Sequence, residues 1–270
     1  MNVVLTIAGS DSGGGAGIQA DLKTFEAHGV FGISVVTALT AQNTQGVRAV
    51  HALPASFILQ QLDAIAEDFE VAAIKIGMLH DLPVLRVVAE WLAQVRAPVV
   101  LDPVMIATSG DPLILEDTAD AILRNLAPRA ALITPNIPEA CTLLGIDETK
   151  DVAELPKLAL DLHQESTGWA VLLKGGHLIT PSDTQHLALD YLVDEGLLYS
   201  IEGPFYDCGP LHGTGCTYSA AIAANLALGM PLLEAVRQGK RYISEAIRLR
   251  PQGVGRGATP LRHRIDPTSL

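Results

Sequence analysis

Short, nearly continuous runs of apolar residues recur along the chain and predict buried β-strands. They cover residues 3–8, 33–39, 72–76, 99–101, 131–133 and 170–173. Continuous runs, unlike alternating ones, are typical of strands that are covered on both faces, as in parallel sheets. We therefore expect a mostly parallel central sheet with helices on both faces.

Helical spacing fills the segments between these runs. It covers residues 17–28, 55–69, 83–94, 118–126, 138–144 and 152–165. The second segment carries apolar residues at steps of two to four, which predict one buried stripe. They are Phe57, Leu59, Leu62, Ile65, Ala66 and Phe69. Alternating strands and helices predict a doubly wound, three-layer α/β/α fold.

The last third of the chain departs from this alternation. Residues 187–193 and 197–201 flank Asp194, Glu195 and Gly196, which predicts a β-hairpin. Helical patterns over 213–228 and 232–248 follow. Because no segment has linker-like composition, we expect one domain over residues 1–270.

Composition narrows the possible partners. The net charge of −12 argues against nucleic acid, whose binding needs clustered cations. One short basic stretch is expected to be a solvated helix face, formed by Arg237, Lys240, Arg241, Arg248 and Arg250. With no basic leader and no apolar run of membrane-spanning length, a cytoplasmic protein without a membrane partner is expected. The irregularly spaced Cys141, Cys208 and Cys216 are expected to be reduced thiols.

A glycine-rich segment, residues 8–17, leads from the first strand towards a helix. Gly15, Gly17 and Ala20 fit the spacing GxGxxA of dinucleotide-binding folds. In those folds the first glycine follows the strand directly and an acid ends the second strand, whereas here six residues intervene and Gln42 ends it. The single Gly-Lys pair, Gly239-Lys240, is followed by Arg241 and so forms no Walker A loop.

A second glycine segment, residues 211–216, precedes an alanine-rich helix. Open N–H groups at such a helix start favour an anion, including a transferring phosphoryl group. The helix end is also expected to lower the pKa of the Cys216 thiol, with His212 as a possible partner. An ordinary turn with a buried cysteine, a Cys-His hydrolase and a zinc pair are the alternatives, and the last two lack further signature residues.

Eight segments together resemble a known family. They are AGSDSGGGAGIQADLK (8–23), TALTAQNTQGV (37–47), KIGML (75–79), LDPVM (101–105), SGDPL (109–113), TPNIPE (134–139), KGGHL (174–178) and HGTGCT (212–217). In this order they resemble the hydroxymethylpyrimidine and phosphomethylpyrimidine kinases of thiamine biosynthesis, in the ribokinase-like superfamily. The resemblance implies transfer of the ATP γ-phosphoryl group to 4-amino-5-hydroxymethyl-2-methylpyrimidine and then to its monophosphate, with Mg²⁺. We also expect a homodimer.

The resemblance also implies roles for individual residues. Cys216 matches the catalytic base, and Gly213, Thr214 and Gly215 match the anion hole, with Thr214 also contacting the nucleotide. Lys174 and Asn136 match nucleotide-binding positions, and Asp102 and Glu139 match acids near magnesium. Without the resemblance, Lys174 and Asp102 would be interpreted as an ion pair at strand ends, and Glu139 as a helix cap.

The acceptor is assigned in the same way. Gln42 matches the amide that binds the pyrimidine edge, because an amide can donate and accept at once. Pocket positions are matched by Gly9, Asp21, Met78 and Val104. Residues 107–113 could close over the substrate.

Two departures and two rival functions remain. Pro210 and Leu211 replace a polar pair common in the family, and residues 251–270 match it only loosely and receive no role.

Pyridoxal kinase is an alternative, because pyridoxal also carries a hydroxymethyl group on a heteroaromatic ring. An inactive ligand-binding homologue is another, although the glycines at the helix start, Asp102 and Glu139 are all present.

Overall fold

A computed structural model describes residues 1–105, 118–166, 168–176 and 187–270. Within these ranges nine strands form one sheet, in the order β3-β2-β1-β4-β5-β6-β7-β8-β9. The strands are β1 (Val3–Asp11), β2 (Phe31–Asn43), β3 (Gly46–Ala52), β4 (Val71–Ile76), β5 (Val99–Leu101), β6 (Leu132–Ile133), β7 (Ala170–Lys174), β8 (Leu187–Asp194) and β9 (Leu197–Pro204). The predicted positions of the buried strands and of the hairpin are confirmed.

Six of these strands are parallel, which confirms the expected mostly parallel sheet. Antiparallel strands lie at both edges: β3 pairs with β2, and the β8–β9 hairpin pairs with β7. The sequence pattern missed β3. Its exposed Arg48 and His51 interrupt any continuous apolar run, as expected at a sheet edge.

Eight α-helices lie in the described part of the chain. They are α1 (Gly17–Ala27), α2 (Ala55–Ala66), α3 (Leu82–Leu92), α4 (Thr118–Ala121), α5 (Ile137–Leu144), α6 (Leu155–Gln164), α7 (Thr214–Ala227) and α8 (Leu232–Arg248). A π-helical turn, Ile122–Leu126, extends α4 to the predicted end of that helix. Two short strands, β10 (Leu211–His212) and β11 (Thr259–Pro260), pair separately from the sheet.

The sheet separates two apolar cores, so the predicted three-layer arrangement is confirmed. Alternate residues of β1 point to opposite faces: Leu5 and Ile7 join one core, and Val4 joins the other. The first core includes side chains from α2, α3, α5 and α6. The second includes side chains from α1, α7 and α8. In α7, buried alanines such as Ala220 and Ala224 are small enough to bring the helix close to the central strands.

Two expectations about exposed and buried faces were wrong. The buried stripe of α2 consists of Ile58, Leu62 and Ile65, while Phe57 and Leu59 are 49% and 41% exposed. Helical geometry gives the reason, because 58, 62 and 65 follow the i, i+4, i+7 spacing of one face. In the basic stretch, Lys240 is buried and pairs with Asp190 at 2.6 Å, so this residue is not part of a solvated face.

The chain order of the strands locates the binding crevice. From β1 the chain passes to β2 on one side and later to β4 on the other. Ligands in open α/β sheets bind beyond the carboxyl ends of the strands, next to such a reversal. The segments that leave β1, β4, β5, β6 and β7 meet at this edge. None of the helices in the described ranges has the length and apolar character needed to cross a membrane.

Candidate active site

The start of α7 is built around Gly213. This residue has a φ of 85°, which glycine adopts without strain, and a side chain there would overlap the Gly15 carbonyl oxygen. No side chain caps the helix. The N–H groups at a helix start lack intrahelical acceptors, so those of Thr214, Gly215 and Cys216 provide the geometry of an anion site.

Lys174 and Asp102 lie directly in front of this helix start. Their Nζ and Oδ1 atoms are 2.7 Å apart, and a Cβ at Gly215 would lie 3.2 Å from Lys174 Nζ. Burial opposes ionisation of Asp102, but the charges of Lys174 and Lys75 lower the pKa of its carboxyl group below the usual value. The structure therefore brings together the predicted anion hole, phosphate-binding lysine and acidic residue.

Glu139 and Asn136 form a capping box at the start of α5. The Asn136 side chain accepts from Glu139 N, and Glu139 Oε2 accepts from Asn136 N, both at 2.8 Å. Glu139 is therefore a helix cap, as the alternative interpretation expected. Its carboxylate also interacts with Lys174 and Asp102 of the site. Burial raises the pKa of Glu139 to about 7. The charge of Lys174 opposes this rise, whereas repulsion from Asp102 adds to it.

The acids at this position are suited to a hard cation. Mg²⁺ prefers oxygen ligands and is commonly held by one or two carboxylates together with substrate phosphates. Asp102 and Glu139 supply two such groups that are close enough to repel each other. Among the described residues no set of three or more His, Cys, Asp or Glu side chains forms a metal cage. Two neighbouring carboxylates fit an ion that substrate phosphates also hold.

The Cys216 thiol lies between the starts of two helices. The Gly17 N–H at the start of α1 favours the thiolate and so opposes a rise in the pKa of Cys216. Burial nevertheless raises the pKa of the thiol to about 11, an effect that the charge of Lys75 only partly offsets. The expected lowering of this pKa is wrong, because desolvation of the thiolate outweighs the helix ends. His212, the suggested partner of the thiol, contacts Asp11, with its Nε2 2.8 Å from Asp11 Oδ2.

Lys75 lies near Cys216, and no role was predicted for it from the sequence. It is fully buried, and its Nζ lies 2.9 Å from Asp21 Oδ2, which also accepts from Thr6 Oγ1. Burial would lower the pKa of Lys75, but Asp21 raises it, so the lysine remains charged. Its sequence signals are a lysine within the apolar run of β4 and its place at the start of the KIGML segment. Asp21, which was predicted as a pocket position, is also fully buried and contacts Lys75 and Thr6.

Lys75→Ala is expected to destabilise the protein by about 3 kcal/mol or more, because it leaves the Asp21 carboxylate buried without a cation. Chemical denaturation would measure this loss. The exposed pair of Arg124 with Asp120 offers a control, since Arg124→Ala should leave the denaturation midpoint unchanged. Equal midpoints for the two variants would show that Lys75 is not needed to hold Asp21.

Asp11 organises the glycine-rich loop. Its carboxylate accepts hydrogen bonds from the N–H groups of Gly13, Gly15 and Ala16 and contacts His212. Burial opposes ionisation, but the bonds from His212 and the backbone lower the pKa of Asp11. The N–H groups of the loop thus surround the Asp11 carboxylate, which also connects the loop to His212, before α7. The sequence indicated a close backbone approach but not that Asp11 directs it.

An apolar wall lies beside the loop, where the acceptor residues were predicted. Met78 packs with Val104 and with Val47 and Val50 of β3. A Cβ at Gly9 would lie 3.1 Å from Met78 Sδ, so the glycine makes room for the methionine. The structure thereby brings Gly9, Met78 and Val104 together.

Gln42 is the second-last residue of β2 and contacts the same loop. Ser12 Oγ donates to the Gln42 carbonyl and accepts from its N–H, which ties β2 to the loop. Thr40 Oγ1 lies 3.1 Å from Gln42 Oε1 and orients the amide. The glycine-rich loop thus contacts both Gln42, through Ser12, and the residues before α7, through Asp11 and His212. The predicted lid, residues 107–113, and His177 and Leu178 lie outside the described residues.

Comparison with known proteins supports one type of chemistry. A family model described as phosphomethylpyrimidine kinase matches residues 11–262. A hydroxymethylpyrimidine/phosphomethylpyrimidine kinase of Haemophilus influenzae is 45% identical over 96% of each chain. The solved phosphomethylpyrimidine kinase of Clostridium difficile is 42% identical, with a TM-score of 0.77 over 92% of this chain and 100% of that one. An ADP complex of Bacillus subtilis pyridoxal kinase is 35% identical, with a TM-score of 0.86 over 97% of each chain.

Proposed function

Because this chain belongs to the phosphomethylpyrimidine kinase family, we propose that it phosphorylates 4-amino-5-hydroxymethyl-2-methylpyrimidine and then the monophosphate, using ATP. These two transfers supply the pyrimidine diphosphate for thiamine biosynthesis. One observation carries the proposal: the open start of α7 faces the Lys174–Asp102 pair across Gly215. A helix start and a cation converging on one point suit a phosphoryl group in transfer.

The phosphoryl group would rest on the amides of Gly213, Thr214 and Gly215. Lys174 and Asn136, which are adjacent at the ends of β7 and β6, would contact the nucleotide phosphates. Gly215 lacks a side chain where a Cβ would lie 3.2 Å from Lys174 Nζ, so phosphate oxygens can approach both the helix and the lysine. Charge neutralisation and positioning carry most of the catalysis in such transfers.

Asp102 and Glu139 would hold Mg²⁺ together with the phosphates. When bound, the ion neutralises phosphate charge. Lys174 keeps Asp102 ionised, and the capping box orients Glu139 towards the same place. The nucleotide and both acids would then share the pocket at the ends of β5, β6 and β7.

The acceptor would bind between Gln42 and the wall of Gly9, Met78 and Val104. The Gln42 amide would pair with the aminopyrimidine edge, and the apolar wall would cover the ring. The hydroxymethyl oxygen would then attack the γ-phosphorus as the bond to ADP breaks. Its proton would pass to the Cys216 sulfur, which must be a thiolate to accept it.

Comparison of acceptors tests this assignment. Turnover should be measured by ADP release with the hydroxymethylpyrimidine, its monophosphate and pyridoxal. We expect kcat/KM for the pyrimidine to exceed that for pyridoxal by at least about tenfold, because Gln42 suits the aminopyrimidine edge. Turnover of pyridoxal alone would make this chain a pyridoxal kinase, the alternative that the likeness to the Bacillus subtilis enzyme favours.

Three further features belong to the proposal. The active protein would be one domain spanning residues 1–270, assembled as a homodimer and located in the cytoplasm. Nine strands in one sheet support the first of these. The mass of the purified protein in solution would test the second.

A further inference from the structure

After α8 the chain returns across the carboxyl edge of the sheet as a C-terminal strap, residues 255–263. No role was expected for this segment from its sequence. The strap contacts the turn after β2, the segment before α7 and the first turn of α7. These three places lie on both sides of the proposed site.

At its first end the strap is bound to Thr44, in the turn between β2 and β3. The N–H groups of Arg256 and Gly257 donate to Thr44 Oγ1 at 3.1 and 3.2 Å. Ala258 N–H donates to the Thr44 carbonyl at 2.7 Å. Three backbone donors therefore converge on a single residue, two positions after Gln42.

Close packing accompanies these bonds. A Cβ at Gly255 would lie 2.9 Å from Thr44 Cβ, and a Cβ at Gly257 would lie 2.8 Å from Gln45 N. Real Cβ atoms do not approach other atoms this closely, so the strap can rest on the turn only with glycine at both positions. A Cβ at Gly253, just outside the strap, would meet nothing within 4 Å.

At its second end the strap is bound to the phosphoryl side. Thr259 N–H donates to the Pro210 carbonyl at 2.9 Å, and β11 pairs with β10 directly before Gly213. His263 Nε2 lies 3.0 Å from Thr217 Oγ1, in the residue that follows Cys216. Tyr242 Oη donates to the His263 carbonyl at 2.7 Å, which fixes the strap to α8.

We infer that the strap is a positioning element that sets the distance between the pyrimidine-binding turn and the phosphoryl-binding helix start, with Gly255 and Thr44 as its positioning residues. This inference rests on the proposed function, because Gln42 is the proposed pyrimidine contact. The strap touches neither substrate in this assignment. Its loss would shift the acceptor relative to the nucleotide, which itself binds on the far side of the site.

Gly255→Ala and Gly253→Ala form a matched pair. Both glycines are exposed and have similar positive φ values, 78° and 72°, so alanine strains the backbone equally. Only Gly255→Ala pushes against Thr44. We expect Gly255→Ala to raise KM for the hydroxymethylpyrimidine about tenfold while KM for ATP stays within about twofold, and Gly253→Ala to match the wild type. Partial unfolding would instead lower kcat without raising an acceptor KM.

Thr44 provides a second, milder pair. Thr44→Val removes the acceptor of two N–H groups, whereas Thr44→Ser retains it. Only the valine variant should raise KM for the hydroxymethylpyrimidine. If Gly255→Ala fails to fold, the Thr44 pair tests the inference in its place. The inference would be overturned if the two variants of each pair had the same KM for the pyrimidine. It would also be overturned if KM for ATP rose as much as KM for the pyrimidine. Wild-type turnover of the pyrimidine tests the proposed function separately, and if only pyridoxal reacts, the same comparisons are made with pyridoxal.

Discussion

Lys174→Gln is expected to lower kcat/KM by about 10² to 10³, the largest loss among the variants considered, because it removes the cation opposite the helix start. Lys174 Nζ lies 2.7 Å from Asp102 Oδ1 and faces Gly215. Glutamine can still donate to Asp102, and Lys75 still lowers the pKa of that carboxyl group, so the fold should survive. ADP release at saturating pyrimidine would measure the loss.

A lysine elsewhere on the surface provides the control. Lys157 lies on α6 and pairs with Asp161 at 2.6 Å, with 78% of its side chain exposed. Lys157→Gln should retain wild-type kcat/KM. If Lys174→Gln behaved the same way, Lys174 would not bind the transferring group, and the phosphoryl site would have to lie elsewhere along the edge of the sheet.

Cys216→Ala is expected to lower kcat about 10²-fold, the usual contribution of a general base, while KM for the pyrimidine changes less than about threefold. The pKa of the thiol is raised to about 11, so the thiolate fraction is small at neutral pH and grows as pH rises. Wild-type kcat should therefore increase from pH 7 upwards, by nearly tenfold per unit. Cys216→Ala should lose this slope.

Cys208→Ala is the matched control, because Cys208 is a free, partly exposed thiol with no place in the site. It should keep both the rate and the pH profile of the wild type. A flat wild-type profile, or a slope that persists in Cys216→Ala, would remove the Cys216 sulfur as the proton acceptor. The helix start and Lys174 would then account for transfer without a base, as loose phosphoryl transfer allows.

Much of the fold could be predicted from the sequence, because its central strands carry continuous apolar runs. The pattern could not predict β3, which packs at a sheet edge through a few valines such as Val47 and Val50. It also misplaced the buried stripe of α2. Several apolar residues of that helix lie exposed, so hydrophobicity alone did not distinguish the two faces.

Only part of the candidate site could be predicted from the sequence. Asp102, Lys174 and the helix start lie at strand ends, where motifs are visible, and the structure brings them together. The pairing of Lys75 with Asp21 could not be predicted, because the two residues are 54 positions apart in the chain. The same holds for Asp11 and His212, which are 201 residues apart. The raised pKa of Cys216 depends on burial, which a local sequence pattern does not report.

A crystal structure with the pyrimidine and a non-hydrolysable ATP analogue tests the central claim most directly. We expect the γ-phosphate on the amides of Gly213 to Gly215, within hydrogen-bonding distance of Lys174. We expect the pyrimidine against Gln42 and Met78, with its hydroxymethyl oxygen between the γ-phosphorus and the Cys216 sulfur. A γ-phosphate away from the start of α7, or a hydroxymethyl group pointing away from Cys216, would contradict the claim.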